Sequence, residues 1–457
     1  MKYISVKEYE ELDYEKLKDK LINAGVIRAG DIEKSNEYFN ELVNLAEQFK
    51  FSYKTDVKYV YQVIKNQNKT YIKFQNFVGI IQLKSGLQIE ILPKIYISEN
   101  CKTKAKENLE NTTKNILIKM ICSLNNFSLI TNINNISNLN VSNMNFYEIF
   151  INIFLKETEK LIKLGLKSSY IESEINSNTL KGKLIFSKHF RHNLITKNKF
   201  FISYDDYNLN RPENKLIKSA LLKILTLSSN AMNHKICSLL LKRFQNIEKS
   251  INIDADFSKV VIDRTTKIYS NLLSWAKIFL KSKFISIFTG DNIVPNSFVL
   301  PMEELFEQYV GKYIKRIFNN TVYLQDQSKH LFKKYESNNE KDMFQLRPDI
   351  VFYITNNNQQ KPIIMDTKWK VINNEADISR TDIYQMCAYS IGYQSKNLYL
   401  LYPKVSNNQG KIEYHYKKGD TTLTIFFIDL LNINESIEKL KSEVENKQPY
   451  FLKAQKI

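Results

Sequence analysis

Two runs of strand-forming apolar residues, 350–354 and 363–365, are separated by a short Asn- and Gln-rich tract at 356–360, and acids stand at their ends. Arg347, Pro348 and Asp349 precede the first run; Asp366, Thr367, Lys368 and Trp369 follow the second. Short apolar runs bounded by turn residues read as buried strands, and the tract between them reads as a hairpin turn. Side chains two apart on a strand share a face, so Asp366 and Lys368 emerge together. Pairing of the two strands brings the Asp349 carboxylate to about 5 Å, the spacing of cross-strand neighbours. Two carboxylates that close repel unless a cation lies between them, and hard oxygen ligands suit Mg²⁺, with Mn²⁺ also admitted. Such a site can ionise a water and stabilise the charge that builds on a phosphodiester under attack. A lysine beside it can orient that water or neutralise the developing oxyanion. The pattern implies a metal-dependent nuclease.

Neighbouring segments enlarge the candidate site. Glu304 and Glu307 lie three apart on the helix expected at 302–318 and share one face, so either can reach a cation from outside the sheet. Acids in a first helical turn also offset the helix dipole. Glu307 is preferred as an accessory third metal ligand beside Asp349 and Asp366, and Glu304 stays open. In the helix expected at 378–393, Asp382, Gln385 and Tyr389 follow an i, i+3, i+7 spacing, a polar stripe able to hold the lysine and touch phosphate. Ile383, Met386, Cys387 and Ile391 form the apolar face expected to pack on the sheet. Gln385 and Tyr389 therefore join Asp349, Asp366, Lys368 and Glu307 as candidate catalytic residues. For Trp369 and Lys370, packing under or beside a bound strand and ordinary core or surface packing are equally open.

At 457 residues the chain has room for two or three domains, and 43% hydrophobic residues supply a core for each. A formal net charge of +18 suits a polyanionic partner. Cys101, Cys122, Cys237 and Cys387 are scattered, without zinc or disulfide spacing, which fits a reducing cytoplasm. The start lacks a signal-peptide core, and no apolar run reaches the ~20 residues that span a bilayer. Gly25 and Gly30 have phosphate-loop spacing, but Asp31 stands where lysine is required. If a nucleotide is involved, another chain binds it.

The expected class is α/β in three parts. Residues 1–103 form a mixed α/β, strand-rich, partner-contacting domain, with helices near 14–21 and 35–49. Its strand candidates at 57–64, 70–77, 78–83 and 87–91 suggest a small antiparallel sheet or barrel. Residues 104–290 form a mainly helical middle region, with helices at 108–124, 146–164, 213–227, 233–247 and 267–280. Within it, 131–145 reads as a loop, while 180–186 and 201–204 read as extended. Residues 291–457 follow a boundary at 290–295 as a helix–strand–strand–strand–helix–strand series at 302–318, 322–325, 344–354, 362–371, 378–393 and 398–402. A strand at 422–428 and a helix at 434–445 close the chain.

The Asp349, Asp366–Lys368 and Gln385–Tyr389 patterns resemble the PD-(D/E)xK nuclease superfamily, one branch of which carries QxxxY. A closer likeness runs through 77–81, 89–95, 301–310, 346–351 and 364–370, which resemble the McrC family, the nuclease subunit of the McrBC modification-dependent restriction system. Tyr204 to Tyr207 and Arg211 to Asn214 also look family-like, with no evident role. The resemblance implies a C-terminal PD-(D/E)xK restriction-endonuclease-like domain in which Asp349 and Asp366 bind the metal and Lys368 assists the attacking water. It implies a McrB-type AAA+ GTPase hexamer as partner, entry of the N-terminal region into that ring with stimulation of GTP hydrolysis, and cleavage of methylated double-stranded DNA. Self-association of the nuclease domain is implied as well, and the sheet around 77–95 is expected in the ring-contacting part. Two alternatives remain: a self-sufficient nuclease needing no motor, and a non-catalytic ring activator.

Overall fold

A computed structural model describes residues 3–447 apart from 29, 47–49, 54–55, 67–68, 96–102, 124–145, 265, 282–296, 319–321, 337–338, 357–358, 406–409 and 418. Strands β1 (Tyr3–Lys7) and β2 (Glu11–Asp13) open the chain. The Asp13 side chain caps α1 (Tyr14–Asn23) by accepting the Lys16 N–H at 2.8 Å, and α2 (Ile32–Leu45) follows. Next come β3 (Lys50–Tyr53), β4 (Asp56–Tyr59), β5 (Tyr61–Asn66), β6 (Lys69–Phe74), β7 (Phe77–Gln82) and β8 (Gln88–Leu92). The strand expected at 57–64 is thus divided at Val60. The expected antiparallel sheet is corrected to a mixed one. β1 runs parallel to β8 in a sheet of order β1-β8-β7-β12, where β12 (Phe298–Pro301) arrives from far downstream and pairs antiparallel with β7. The intervening helices and strands provide the long crossover that parallel pairing needs.

The middle region contains α3 (Thr103–Ser123), α4 (Phe146–Leu164), β9 (Ser169–Ser177), β10 (Lys183–Leu184), α5 (Phe186–Asn193) and β11 (Phe200–Asn208). It continues with α6 (Pro212–Leu227), α7 (Ala231–Arg243), α8 (Ile253–Lys259) and α9 (Tyr269–Lys281). The expected loop at 131–145 and boundary at 290–295 lie outside the described residues. β9 and β11 pair antiparallel over their full lengths and form an arm with α5, exposing Tyr170, Phe186, Phe190, Ile195 and Tyr207. At its root, Asn214 Nδ2 donates to the carbonyls of Lys167 at 3.0 Å and Leu209 at 2.9 Å, while the Tyr269 hydroxyl donates to Asn214 Oδ1 at 3.0 Å. Arg211 and Glu213 pair alongside through two bonds of 2.7 and 3.0 Å. The Arg211–Asn214 motif thereby gains a role: it fastens both ends of the arm to the helices.

The C-terminal part is α10 (Met302–Ile317), β13 (Val322–Leu324), the ribbon β14 (His330–Glu336) and β15 (Asn339–Gln345), β16 (Ile350–Asn356), β17 (Gln359–Thr367), α11 (Arg380–Tyr393), β18 (Asn397–Pro403), β19 (Ile412–His415), β20 (Thr422–Ile428) and α12 (Ile433–Asn446). Six strands make a sheet of order β13-β16-β17-β18-β20-β19, with β16–β17 antiparallel and β17, β18 and β20 parallel. Alternation along these strands sorts the side chains into two cores. Ile350, Phe352, Ile363, Met365 and Leu401 join α10 and α12, whereas Val351, Ile364, Leu398 and Leu400 join Met386, Tyr389 and Tyr393 of α11. Among the described residues no helix is long and apolar enough to cross a membrane.

Candidate active site

The two acid-bearing segments end where the site begins. The strand expected at 344–354 is broken: β15 ends at Gln345, one residue after Phe344 adopts a left-handed φ of 58°, and pairing resumes only at Ile350 in β16. The strand expected at 362–371 stops at Thr367. Ile350 pairs with Met365 and Val351 with Ile364, so one further step along this register sets Asp349 opposite Asp366. Thr367 locks the junction, its backbone N–H and its hydroxyl each donating to Asp349 Oδ2 at 2.7 Å. By strand alternation Asp349 shares a face with Val351, and Asp366 with Ile364, both on the α11 side.

Lys368 Nζ lies 2.5 Å from Asp366 Oδ2, an ion pair in which the Asp366 side chain is 2% exposed. Burial, reinforced by Asp349 and Glu307, pushes the Asp366 carboxyl up to about 8 although Lys368 opposes the shift. Burial disfavours the Lys368 ammonium, but Asp366, Asp349 and Asp382 outweigh it and raise its pKa above the ordinary lysine value. Lys368 is therefore a cation at neutral pH, suited to offsetting negative charge and unsuited to acting as a base.

A single cleft of about 650 Å³ is lined by Asp349, Asp366, Lys368, Glu307, Gln385 and Tyr389, together with Glu304. Glu307 reaches it from α10, where its carboxylate accepts from the Gln325 amide. The Gln325 side-chain oxygen accepts from Arg347, and its backbone N–H donates to the Asp349 carbonyl at 2.8 Å. Gln325 holds a left-handed φ of 52°, a sparsely populated conformation for a residue with a Cβ. Neither the role of Gln325 nor the anchoring part played by Thr367 is apparent from sequence pattern: each ends an expected or observed strand, and its partners are set by the fold.

The α11 expectations need correction. Its buried residues are Asp382, Met386, Tyr389 and Tyr393, whereas Cys387 and Ile391 are exposed and Ile383 is half-buried. The polar stripe, with Met386, is the inward face. Asp382 accepts from Lys370 Nζ at 2.8 and 2.9 Å and from the Tyr402 hydroxyl at 3.0 Å; with these partners a carboxylate can be buried. Tyr389 donates to the Arg347 carbonyl at 2.9 Å and accepts from Gln385 Nε2 at 2.7 Å. It thus braces the segment that carries Asp349. Burial keeps its phenol protonated and able to donate. Trp369 is buried in the core, while Lys370 is the ion-pair partner of Asp382. Tyr389→Phe is expected to lose about 1 kcal/mol of stability with that bond and about tenfold in activity through displacement of Asp349, read by thermal melts and cleavage rates.

Among the described residues, no three His, Cys, Asp or Glu side chains are gathered closely enough to hold a metal ion by themselves. The donor set fits a hydrated hard cation, which keeps several waters and needs one or two carboxylates. The buried Asp366 carboxyl facing a second acid is the environment in which such an ion relieves repulsion.

An α/β domain that gathers acid, acid and lysine at one end of a mixed sheet, behind a strand-rich domain and a helical region, defines the structural class. Within it, the chain belongs to the family of McrBC 5-methylcytosine restriction system components, whose family model matches residues 72–403. Its fold resembles a chain in the half-complex from the tetradecameric assembly of Thermococcus gammatolerans McrB AAA+ hexamers with bound McrC, with a TM-score of 0.63, 18% identity, and coverage of 97% of this chain and 100% of that one. A chain of the Thermococcus gammatolerans McrBC complex aligns with a TM-score of 0.46 and 20% identity over 70% of this chain and 88% of the other. Comparison with curated proteins gives no match.

Proposed function

We propose that this chain is the cutting subunit of a GTP-driven restriction complex, a Mg²⁺-dependent endonuclease acting on methylcytosine-containing DNA. The observation that carries this reading is the convergence of Asp349, Asp366 and Lys368 in one cleft, with Asp366 buried and Lys368 charged. Asp349 and Asp366 would hold the ion, while Glu307, which lines the same cleft, is not gathered closely enough with them to complete a three-acid set. Bound there, the ion supplies Lewis-acid stabilisation and a more acidic water. Lys368 offsets charge on the attacked phosphoryl group, and Tyr389 keeps the Asp349 segment in register. The net charge of +18 favours DNA as the polyanion. Cutting both strands of a duplex calls for two such sites, hence self-association of the nuclease domain.

The second activity in this proposal is stimulation of a McrB-type GTPase ring. β7 and β8 are almost wholly buried, so they leave little side-chain surface for a partner; the exposed apolar residues of the β9–β11 arm fit that task better. Gly182 supports the arm with a φ of +73°, and a Cβ there would stand 2.3 Å from the Ser203 carbonyl oxygen. Gly182→Ala is expected to lower partner GTPase stimulation by about tenfold or more, in keeping with a loss of over ~1.4 kcal/mol of coupling, while thermal melts of the remaining fold change little. Unchanged stimulation removes the arm from this role.

The cleavage assay combines the purified chain, a partner GTPase, GTP, Mg²⁺ and methylated DNA, omitting each component in turn. Cleavage that requires all five supports the proposal; cleavage without partner and GTP indicates a self-sufficient nuclease. No cleavage under any combination leaves only the ring-activating role. A pH effect accompanies the metal. Without it, burial and the neighbouring acids raise the folded Asp366 carboxyl above the range of an unfolded aspartate, at pH ~4, so the folded chain favours its protonated form more than the unfolded chain does. Between the two ranges the native state binds the extra proton, so this group's contribution to stability falls as pH rises. A cation held by Asp349 and Asp366 would take the place of that proton. Its increment in Tm is expected to be larger at about pH 8.5 than at about pH 6, by thermal melts with and without Mg²⁺.

A further inference from the structure

Trp369 directly follows Lys368 and borders the cleft, and its indole also reaches the other end of the chain. The indole Nε1–H donates to Glu8 Oε2 at 3.1 Å. Glu8 follows β1 and is 3% exposed; its backbone N–H donates to the Leu92 carbonyl at 3.0 Å, and the same Oε2 accepts the Lys94 N–H at 3.0 Å. The other carboxylate oxygen, Oε1, is buried with no hydrogen-bond partner among the described residues. Lys94 adds a second tie: its Nζ donates to the Trp369 carbonyl at 3.4 Å and sits 4.5 Å from the centroid of the Tyr9 ring. On its other side the Trp369 ring packs 5.3 Å from Phe306, the residue before Glu307. The indole is therefore wedged between the segment that presents Lys368, the helix that presents Glu307, and the N-terminal domain.

A buried carboxylate with one bare oxygen is a poor way to fill space, because an apolar side chain would carry no desolvation cost. Burial pushes Glu8 up to about 7 despite the opposing lysine. What the carboxylate supplies, and an apolar group cannot, is a directional acceptor that fixes the indole.

We infer that Glu8 is a positioning residue for the nuclease centre, acting through the Trp369 indole to hold the Lys368 segment against the Glu307 helix. The inference rests on the nuclease reading given above, and it makes the centre a product of both ends of the chain. Glu8 touches no reacting group itself. Lys370, paired with Asp382, pins the same segment from the opposite side. Loss of the Glu8 bond should therefore move Lys368 without unfolding its surroundings.

The test uses the full chain with partner GTPase, GTP, Mg²⁺ and methylated DNA. Glu8→Ala removes the acceptor, Trp369→Phe removes the donor but keeps a ring against Phe306, and Glu8→Gln keeps an acceptor oxygen. Glu8→Ala and Trp369→Phe are expected to lower kcat by about tenfold or more, with KM for DNA and GTPase stimulation within about twofold, while Glu8→Gln restores most of the rate. Wild-type rates in the first two variants, a change in KM alone, or a glutamine as damaging as alanine overturns the inference. If the wild-type protein cleaves nothing, the nuclease reading falls and a spectroscopic arm decides the positioning claim. The chain has two tryptophans, so Trp275→Phe leaves Trp369 as the sole indole. A Mg²⁺-dependent change in its emission that disappears on adding Glu8→Ala supports positioning; a change that persists, or none at all, overturns it.

Discussion

Asp366→Asn is expected to abolish DNA cleavage while leaving stimulation of the partner GTPase within about twofold of wild type. Withdrawing one carboxylate charge from the metal removes several kcal/mol of transition-state stabilisation, and ~4 kcal/mol corresponds to about a thousandfold in rate. Asp366 is buried in the sheet beside Lys368, whereas the apolar residues of the β9–β11 arm are exposed. The side chain keeps its size in asparagine, so the fold tolerates the change, and a thermal melt verifies that. The Mg²⁺ increment in Tm should vanish with the activity. Loss of both cleavage and GTPase stimulation in a folded variant contradicts separate roles for the two regions. Retained cleavage removes Asp366 from the site.

Lys368→Ala should cost about 10²- to 10³-fold in kcat, the range for deleting one preorganised charge-stabilising donor. Its signature differs from that of Asp366. Mg²⁺ should still raise Tm, because the acids remain, and KM for DNA should barely move, because the ammonium serves the transition state more than ground-state binding. Lys368→Arg is expected to recover little: a planar guanidinium does not occupy the place of a compact ammonium 2.5 Å from a buried carboxylate. Single-turnover cleavage at saturating Mg²⁺ measures the effect. A variant that cuts at the wild-type rate, or one rescued fully by arginine, refutes a point-charge role.

Legibility in the sequence followed the strength of local pattern. The strand at 422–428 and the helix at 146–164 coincide with β20 and α4, because each is an apolar segment with clear ends. The pairing of the acid-bearing strands was equally legible, since two apolar runs around an Asn-rich tract have few other ways to fold. β9 and α5 were invisible: both are largely exposed, so no core imposes a hydrophobic period on them. β12 was missed because its partner β7 lies more than two hundred positions earlier, beyond any local window. In the site, the residue types carried the chemistry of Asp349, Asp366 and Lys368. What Gln325, Thr367 and Glu8 do depends on who their neighbours are, and that is a property of the folded chain. The inverted face of α11 is the instructive error. A helix that walls a cleft buries polar side chains which carry their own partners, and an apolar-face rule then points the wrong way.

The pairing of β12 with β7 also governs how the chain must be made. Gln82 N–H donates to the Ser297 hydroxyl across 215 positions, and the Phe298–Ile80 register continues the ladder from there. A ribosome has therefore to deliver about two-thirds of the polypeptide before the first sheet can acquire its last strand. Until then the β7 edge presents unpaired backbone groups on an apolar strand, a template for unwanted association between nascent chains. Late closure of this kind raises the contact order of the first sheet and so slows its maturation.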